Sequence, residues 1–190
     1  MQRTPTLASR RALLAISAST LVLAPLLARA GLRSATAQVE IENFDVTGAS
    51  VGASRVAKVL LAEAEWQKRL SPASFDITRR AGTEIAFTGA YWNLHKDGLF
   101  RCVGCATALF DSRDKFDSGT GWPSFTRPIS KENVAERSDN SFGMQRTQVS
   151  CKRCDAHLGH VFDDGPPPTG LRYCINSAAL VFVPRGAKRA

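Results

Sequence analysis

Two short cysteine pairs, Cys102-Val103-Gly104-Cys105 and Cys151-Lys152-Arg153-Cys154, constrain this chain more than any other feature. A C-x-x-C turn offers two thiolates to one ion, and two such turns complete a tetrahedral shell with no open position, the arrangement of a structural zinc site. The pairs stand 45 residues apart, so a fold that obeys this reading must bring two distant turns into contact. Gly104 suits the first turn, and Lys152-Arg153 suits a second turn whose amides face a dianionic thiolate cluster. One Zn2+ per chain is the expectation. Two other chemistries compete. A thioredoxin-like redox pair belongs at a helix start in an α/β pattern, and a pair of disulfides belongs to an oxidising compartment.

The pattern around the cysteines is not α/β. From Ser54 onward Val56, Val59, Leu60, Glu63, Trp66 and Leu70 fall mostly at helical spacing, and Ser71-Pro72 caps and starts a second short helix that runs to about Arg79. Beyond Gly82, apolar runs separated by Gly, Pro, Asp and Asn predict strands at 84–87, 98–102, 108–110, 142–149, 158–162, 171–176 and 179–183. The expected fold class is therefore mainly β and antiparallel, with short N-terminal helices. Residues 163–170, with three consecutive prolines, form a loop. Residues 38–53 read as a linker or extended arm, 54–184 as the domain and 185–190 as a basic tail.

Residues 1–37 carry the parts of a cleavable export signal: a basic start, an apolar stretch from Ala12 to Leu27, and small-residue sites at Ala28-Arg29-Ala30 and Ala35-Thr36-Ala37. Cleavage after Ala37 is the preferred reading, after Ala30 the other. Ser9-Arg10-Arg11-Ala12-Leu13-Leu14 resembles the twin-arginine motif, whose pathway moves folded, metal-loaded chains, so export is compatible with zinc. A periplasmic or exported location follows; an organelle transit peptide and an uncleaved anchor are the competing readings. An apolar run of about 16 residues is short for a bilayer span, so no stable membrane insertion is expected after cleavage. Five arginines precede Glu40 and supply most of the formal +8. What remains is too little charge for a nucleic-acid footprint.

Four ligands from five cysteines leave Cys174 over. If Arg172-Tyr173-Cys174-Ile175-Asn176 is a strand, Arg172, Cys174 and Asn176 project together from one face. A thiol beside a fixed cation is stabilised as thiolate; a buried structural cysteine is the other reading. His157-Leu158-Gly159-His160 adds two imidazoles, suited to structure or to acid–base work. In Lys115–Phe125 two glycines and a proline fix a loop around Trp122. An indole presented there would cup a methyl group, whereas one turned inward would be core.

The order of these stretches, GTE at 82–84, C-x-x-C at 102–105, LF-x-S-x-x-KFDSGTGWPSF at 109–125, C-x-x-C at 151–154, HLGHVFDDGP at 157–166 and GLRYCINSAAL at 170–180, resembles the MsrB-type peptide methionine-R-sulfoxide reductases. The resemblance spans roughly residues 60 to 184. It implies a β-tent of two antiparallel sheets with a structural zinc site, and an enzyme that reduces methionine-R-sulfoxide in oxidised proteins. By it, Cys174 is the nucleophile. His157, His160 and Asn176 position and protonate the sulfoxide oxygen, Arg172 lowers the thiol pKa and Asp164 orients a histidine. Trp122, with Phe125, contacts the substrate, and Cys102, Cys105, Cys151 and Cys154 hold the zinc. A monomer is expected.

Many members of that family carry a resolving cysteine in a Ser-Gly-Cys-Gly-Trp segment. Here the position is Thr120. With four cysteines committed to metal, the expectation is a one-cysteine cycle: a Cys174 sulfenic acid, the first and reversible oxidation product of a thiol, is resolved by a thioredoxin-like protein or a small thiol.

Overall fold

The computed structural model describes residues 37–186 apart from Met144. Residues 1–36 of the expected export signal and 187–190 of the basic tail lie outside that range. The described chain opens with a hairpin of β1 (Gln38–Phe44) and β2 (Ser50–Ala57), followed by α1 (Glu63–Arg69) and α2 (Pro72–Arg80). Nine strands follow: β3 (Gly98–Cys102), β4 (Ala108–Asp111), β5 (Lys115–Phe116), β6 (Ser124–Phe125), β7 (Val134–Asp139), β8 (Arg146–Cys151), β9 (His157–Phe162), β10 (Arg172–Ile175) and β11 (Leu180–Pro184).

Apart from the hairpin, the strands make two antiparallel sheets, β5-β6-β10-β9-β8-β7 and β11-β3-β4. The expected mainly β class with short helices near its N-terminal side is the observed one. An aromatic seam joins the sheets: Phe110 from the smaller one stacks on Phe125 from the larger at 4.5 Å between ring centres, and Phe100 meets Phe125 edge-on at 5.1 Å. All three rings are fully buried, and offset or edge-on packing of this kind adds to the area they remove from water.

Three local expectations need correction. Residues 38–53 are not a linker: they form β1 and the first half of β2, turned by Asp45, whose carboxylate accepts the Thr47 N–H at 2.8 Å while Gly48 takes φ +79°. The first helix begins at Glu63, not Ser54, because β2 runs to Ala57 and the Val59 N–H then bonds the Arg153 carbonyl at 2.9 Å. A tertiary bond there outweighs helical spacing. Residues 84–87 are not a strand, for Glu84 and Ile85 are irregular and a turn begins at Ala86, whereas β7, with one buried residue among six, carries no apolar run to predict it. The second helix begins as expected, with Ser71 accepting the Ser74 N–H at 3.1 Å and Pro72 in its first turn.

Candidate metal centre and active site

The β3–β4 and β8–β9 turns bring the four distant cysteines together. Their sulfurs all lie within 4.8 Å of one another, with Cys102 to Cys154 and Cys105 to Cys151 each at 3.5 Å. Tetrahedral zinc–thiolate bonds of about 2.3 Å place sulfurs roughly 3.8 Å apart, so the cluster fits one ion. The two turns share one backbone design. Ala106 and Asp155, each just after its second cysteine, take φ of 59° and 56°, and their N–H groups bond back to the Cys102 and Cys151 carbonyls at 2.8 and 2.9 Å. All four thiols are free of disulfides. Hydrogen bonds among them hold Cys105 and Cys154 low and push Cys102 up, while Cys151 is lowered by its bond to Cys102 but raised overall by those to Cys105 and Cys154 and by burial, the conflict that a shared cation removes.

The larger sheet carries a second constellation in a single row. Across its strands the register pairs Phe116 with Ser124, Ser124 with Cys174, Cys174 with His160, His160 with Gln148 and Gln148 with Arg137. Directly opposed residues share a face, so Cys174 sits between Ser124 and His160. His157 would face the other way in a regular strand, three residues from His160. It does not, because β9 carries a bulge: Ser150 and Val149 pair with His157 and Gly159, leaving Leu158 extra. The imidazoles consequently meet edge-on, 5.4 Å between centres. Gly159 is required there, since a Cβ would lie 2.0 Å from the Cys174 carbonyl.

Each imidazole has a polar partner. His160 Nε2 stands 2.8 Å from Asp139 Oδ2. Hydrogen bonds to Asp139 from the Ser141 hydroxyl and N–H, and then from His160, keep that carboxyl far below the ordinary range. His157 is 4% exposed, and burial lowers its pKa to about 4 with help from the charges of His160 and Arg146; it is neutral at pH 7. Gln148 Nε2 donates to His157 Nδ1 at 2.7 Å. The ring proton is thus on Nε2, which is buried and has no hydrogen-bond partner among the described residues.

Arg172 lies against Cys174 and stacks on Phe162 with 4.5 Å from its guanidinium carbon to the ring centre. Asp164 holds it side-on, with Nε to Oδ1 at 2.8 Å and a second N–H to Oδ2 at 2.7 Å. Asp164 thus orients the arginine, not a histidine as expected; Asp139 takes the histidine role. Arg172 lowers the thiol pKa as expected, yet the thiol as a whole is not held low. Burial raises the Cys174 pKa, and the opposing pull of Arg172 and of the Thr120 hydroxyl does not cancel it.

Trp122 is half-buried, and its indole N–H donates to the Glu84 carbonyl at 3.0 Å. Glu84, outside every residue role assigned from sequence, is the organiser of this edge. Its carboxylate accepts the Ser177 and Ala178 N–H groups at 2.6 and 3.1 Å, and its own N–H donates to Asn176 Oδ1 at 3.0 Å. Asn176 is 3% exposed and gives its amide N–H to the Leu158 carbonyl at 3.0 Å. It clamps the loop that carries Trp122's acceptor, so its carbonyl is committed to the backbone, not free for a sulfoxide. Phe125, expected to contact substrate, is a further correction: it is in the aromatic seam and fully buried. Its neighbour Ser124 faces Cys174, so alternation sends Phe125 into the core.

Comparison with known proteins covers the part of the chain that carries these residues. Residues 70–184 match the family described as the SelR domain. The chain is 57% identical over 123 residues to the peptide methionine sulfoxide reductase MsrB of Thiobacillus denitrificans, covering 65% of this chain and 93% of that protein. It is 56% identical over 125 residues to the protein of the same name from Herminiimonas arsenicoxydans, covering 66% and 91%. A Synechococcus protein of that name is 57% identical over 120 residues, covering 63% and 88%. The β1–β2 hairpin lies outside the residues matched to the family.

Proposed function

The chain belongs to the SelR-domain family of peptide methionine sulfoxide reductases, and from that premise we propose that it reduces methionine-R-sulfoxide in oxidised proteins with Cys174 as nucleophile. One observation carries the assignment: Cys174, the one cysteine outside the metal cluster, is paired in register with His160 and lies against Arg172.

In the proposed cycle the Cys174 thiolate attacks the sulfoxide sulfur while the oxygen takes up a proton. His160, held by Asp139, supplies that proton, and the unpartnered His157 Nε2–H gives the oxygen a hydrogen bond. The sulfur–oxygen bond and the transient bond between the two sulfurs both break as the protonated oxygen passes to Cys174, so methionine leaves and the cysteine becomes a sulfenic acid. Trp122 packs on the methyl group. An external thiol then displaces water from the sulfenic acid, giving a mixed disulfide, and a second thiol releases Cys174 with formation of the external disulfide. Two thiols are oxidised for each sulfoxide reduced.

Cys102, Cys105, Cys151 and Cys154 would hold one zinc ion, which supplies no reaction chemistry because four thiolates close its shell. It joins the turns that end β3 and β8, and so fixes the sheet from which Cys174 and the histidines project. For the leader, which resembles a twin-arginine signal, we propose export to the periplasm. The reductant is then a thioredoxin-like domain or small thiol of that compartment, the chain acting as a monomer.

Separate R and S epimers of a methionine sulfoxide peptide, assayed with dithiothreitol, test the reading. Turnover of R by the wild type and its loss in Cys174→Ser is the expected result; equal turnover in the Ser variant would refute the nucleophile.

A further inference from the structure

The reaction above leaves unused a line of three hydroxyls in the loop around Trp122. Ser124 Oγ lies 3.2 Å from the Trp122 carbonyl and 2.7 Å from Ser118 Oγ, and Ser118 Oγ lies 2.8 Å from Thr120 Oγ1. The Thr120 hydroxyl in turn lowers the pKa of the Cys174 thiol as a hydrogen-bonding group. Ser124 is fully buried and is also the register partner of Cys174, so the chain begins and ends beside the same residue.

Each hydroxyl has one proton to donate, and that count fixes the direction of the whole line. When Cys174 is a thiolate, Thr120 must donate to sulfur, Ser118 to Thr120 and Ser124 to Ser118. The Trp122 carbonyl then receives nothing from Ser124. When Cys174 is a thiol, every hydroxyl can point the other way, and the line ends on that carbonyl. No proton travels along it, because an amide carbonyl cannot keep one; the hydroxyls rotate and the thiol proton leaves elsewhere.

We propose that Thr120, Ser118 and Ser124 form a directional hydroxyl chain that favours the Cys174 thiolate, with Ser118 and Ser124 as positioning residues acting through Thr120. The threonine in this position is then a working part of a one-cysteine site. The proposal rests on the functional reading above only in treating Cys174 as the reacting thiol. The charged groups around the thiol are separate from the chain: Arg172 on its own strand, Asp164 in the loop after β9, and His160 across the register with Asp139 and Arg146 behind it.

The test is the pH profile of Cys174 alkylation by iodoacetamide in the zinc-loaded protein, which needs no sulfoxide. A hydrogen bond to a charged group is worth enough to move a pKa by about one unit. Thr120→Val and Ser118→Ala, both on the partly exposed loop, are therefore expected to raise the midpoint by about that much, and Thr120→Ser to restore it. Ser124→Ala is a secondary variant because its site is fully buried. A merely structural effect would change alkylation at every pH without moving the midpoint. Unmoved midpoints in Thr120→Val and Ser118→Ala, with native far-UV circular dichroism, overturn the proposal. Shifted midpoints in a protein that fails to reduce sulfoxide would instead uphold the chain and refute the reductase assignment.

Discussion

His160 Nε2 and Asp139 Oδ2 face each other at 2.8 Å across the larger sheet, with the two side chains only 13% and 19% exposed. The same carboxylate receives Arg146 at 2.8 Å. This pairing fixes the ring orientation, as a carboxylate does for any histidine that must pass a proton in one direction. Asp139→Asn should lower kcat by roughly tenfold to a hundredfold, a fraction of what a general acid supplies. KM should change little, because the residue is proposed to act through His160 and not through the substrate. Steady-state kinetics that showed the loss entirely in KM would assign Asp139 to binding.

The Arg172–Asp164 pair sets up an opposition at the thiol. Arg172 lowers the Cys174 pKa and Asp164 raises it. Arg172→Met should therefore shift the alkylation midpoint upward and slow sulfoxide reduction. Asp164→Asn keeps an acceptor for the guanidinium while removing the negative charge, so it should shift the midpoint downward. Alkylation rates measured across pH in the two variants check the opposite signs.

His157 makes stability depend on acid. Its folded pKa of about 4 lies below the 6.5 of an ordinary histidine, so between these values the unfolded chain binds more protons than the folded one. The contribution is complete above pH 6.5, is lost as pH falls, and becomes constant below 4. Urea unfolding from pH 7 to pH 4 should show this decline, and His157→Gln should flatten it.

Metal analysis of the purified chain should give about one zinc per molecule. Removal by a strong chelator should lower the melting temperature and abolish activity, since metal binding and folding share one free energy in such sites. Cys102→Ser should do both without chelator. Full thermal stability in metal-free protein would contradict a structural role.

Much of this was legible in the sequence because the signals were local. Two C-x-x-C turns identified the cluster whatever path the chain takes between them, and the cysteine count singled out Cys174. Ser71-Pro72 marked α2 for the same reason. What escaped depended on partners distant in sequence. Asp139 lies 21 residues from His160, and Glu84 lies 92 from Asn176; neither has a sequence neighbour that reveals its task. The bulge at Leu158 turns two histidines onto one face against the simple alternation of a strand. Phe125 was the opposite case. Alternation alone, starting from Ser124 facing Cys174, would have put it in the core.

Cys174 is proposed to take the sulfoxide oxygen and then to wait for an outside thiol. Intact-mass analysis tests it most directly: zinc-loaded protein is mixed with a methionine-R-sulfoxide peptide, one equivalent, without reductant, and quenched. The expected result is a gain of one oxygen atom, mapped to Cys174 and trapped by dimedone, with one methionine formed per chain and zinc retained. A chain that instead loses two hydrogens, through a disulfide between Cys174 and any of the other four cysteines, would contradict it.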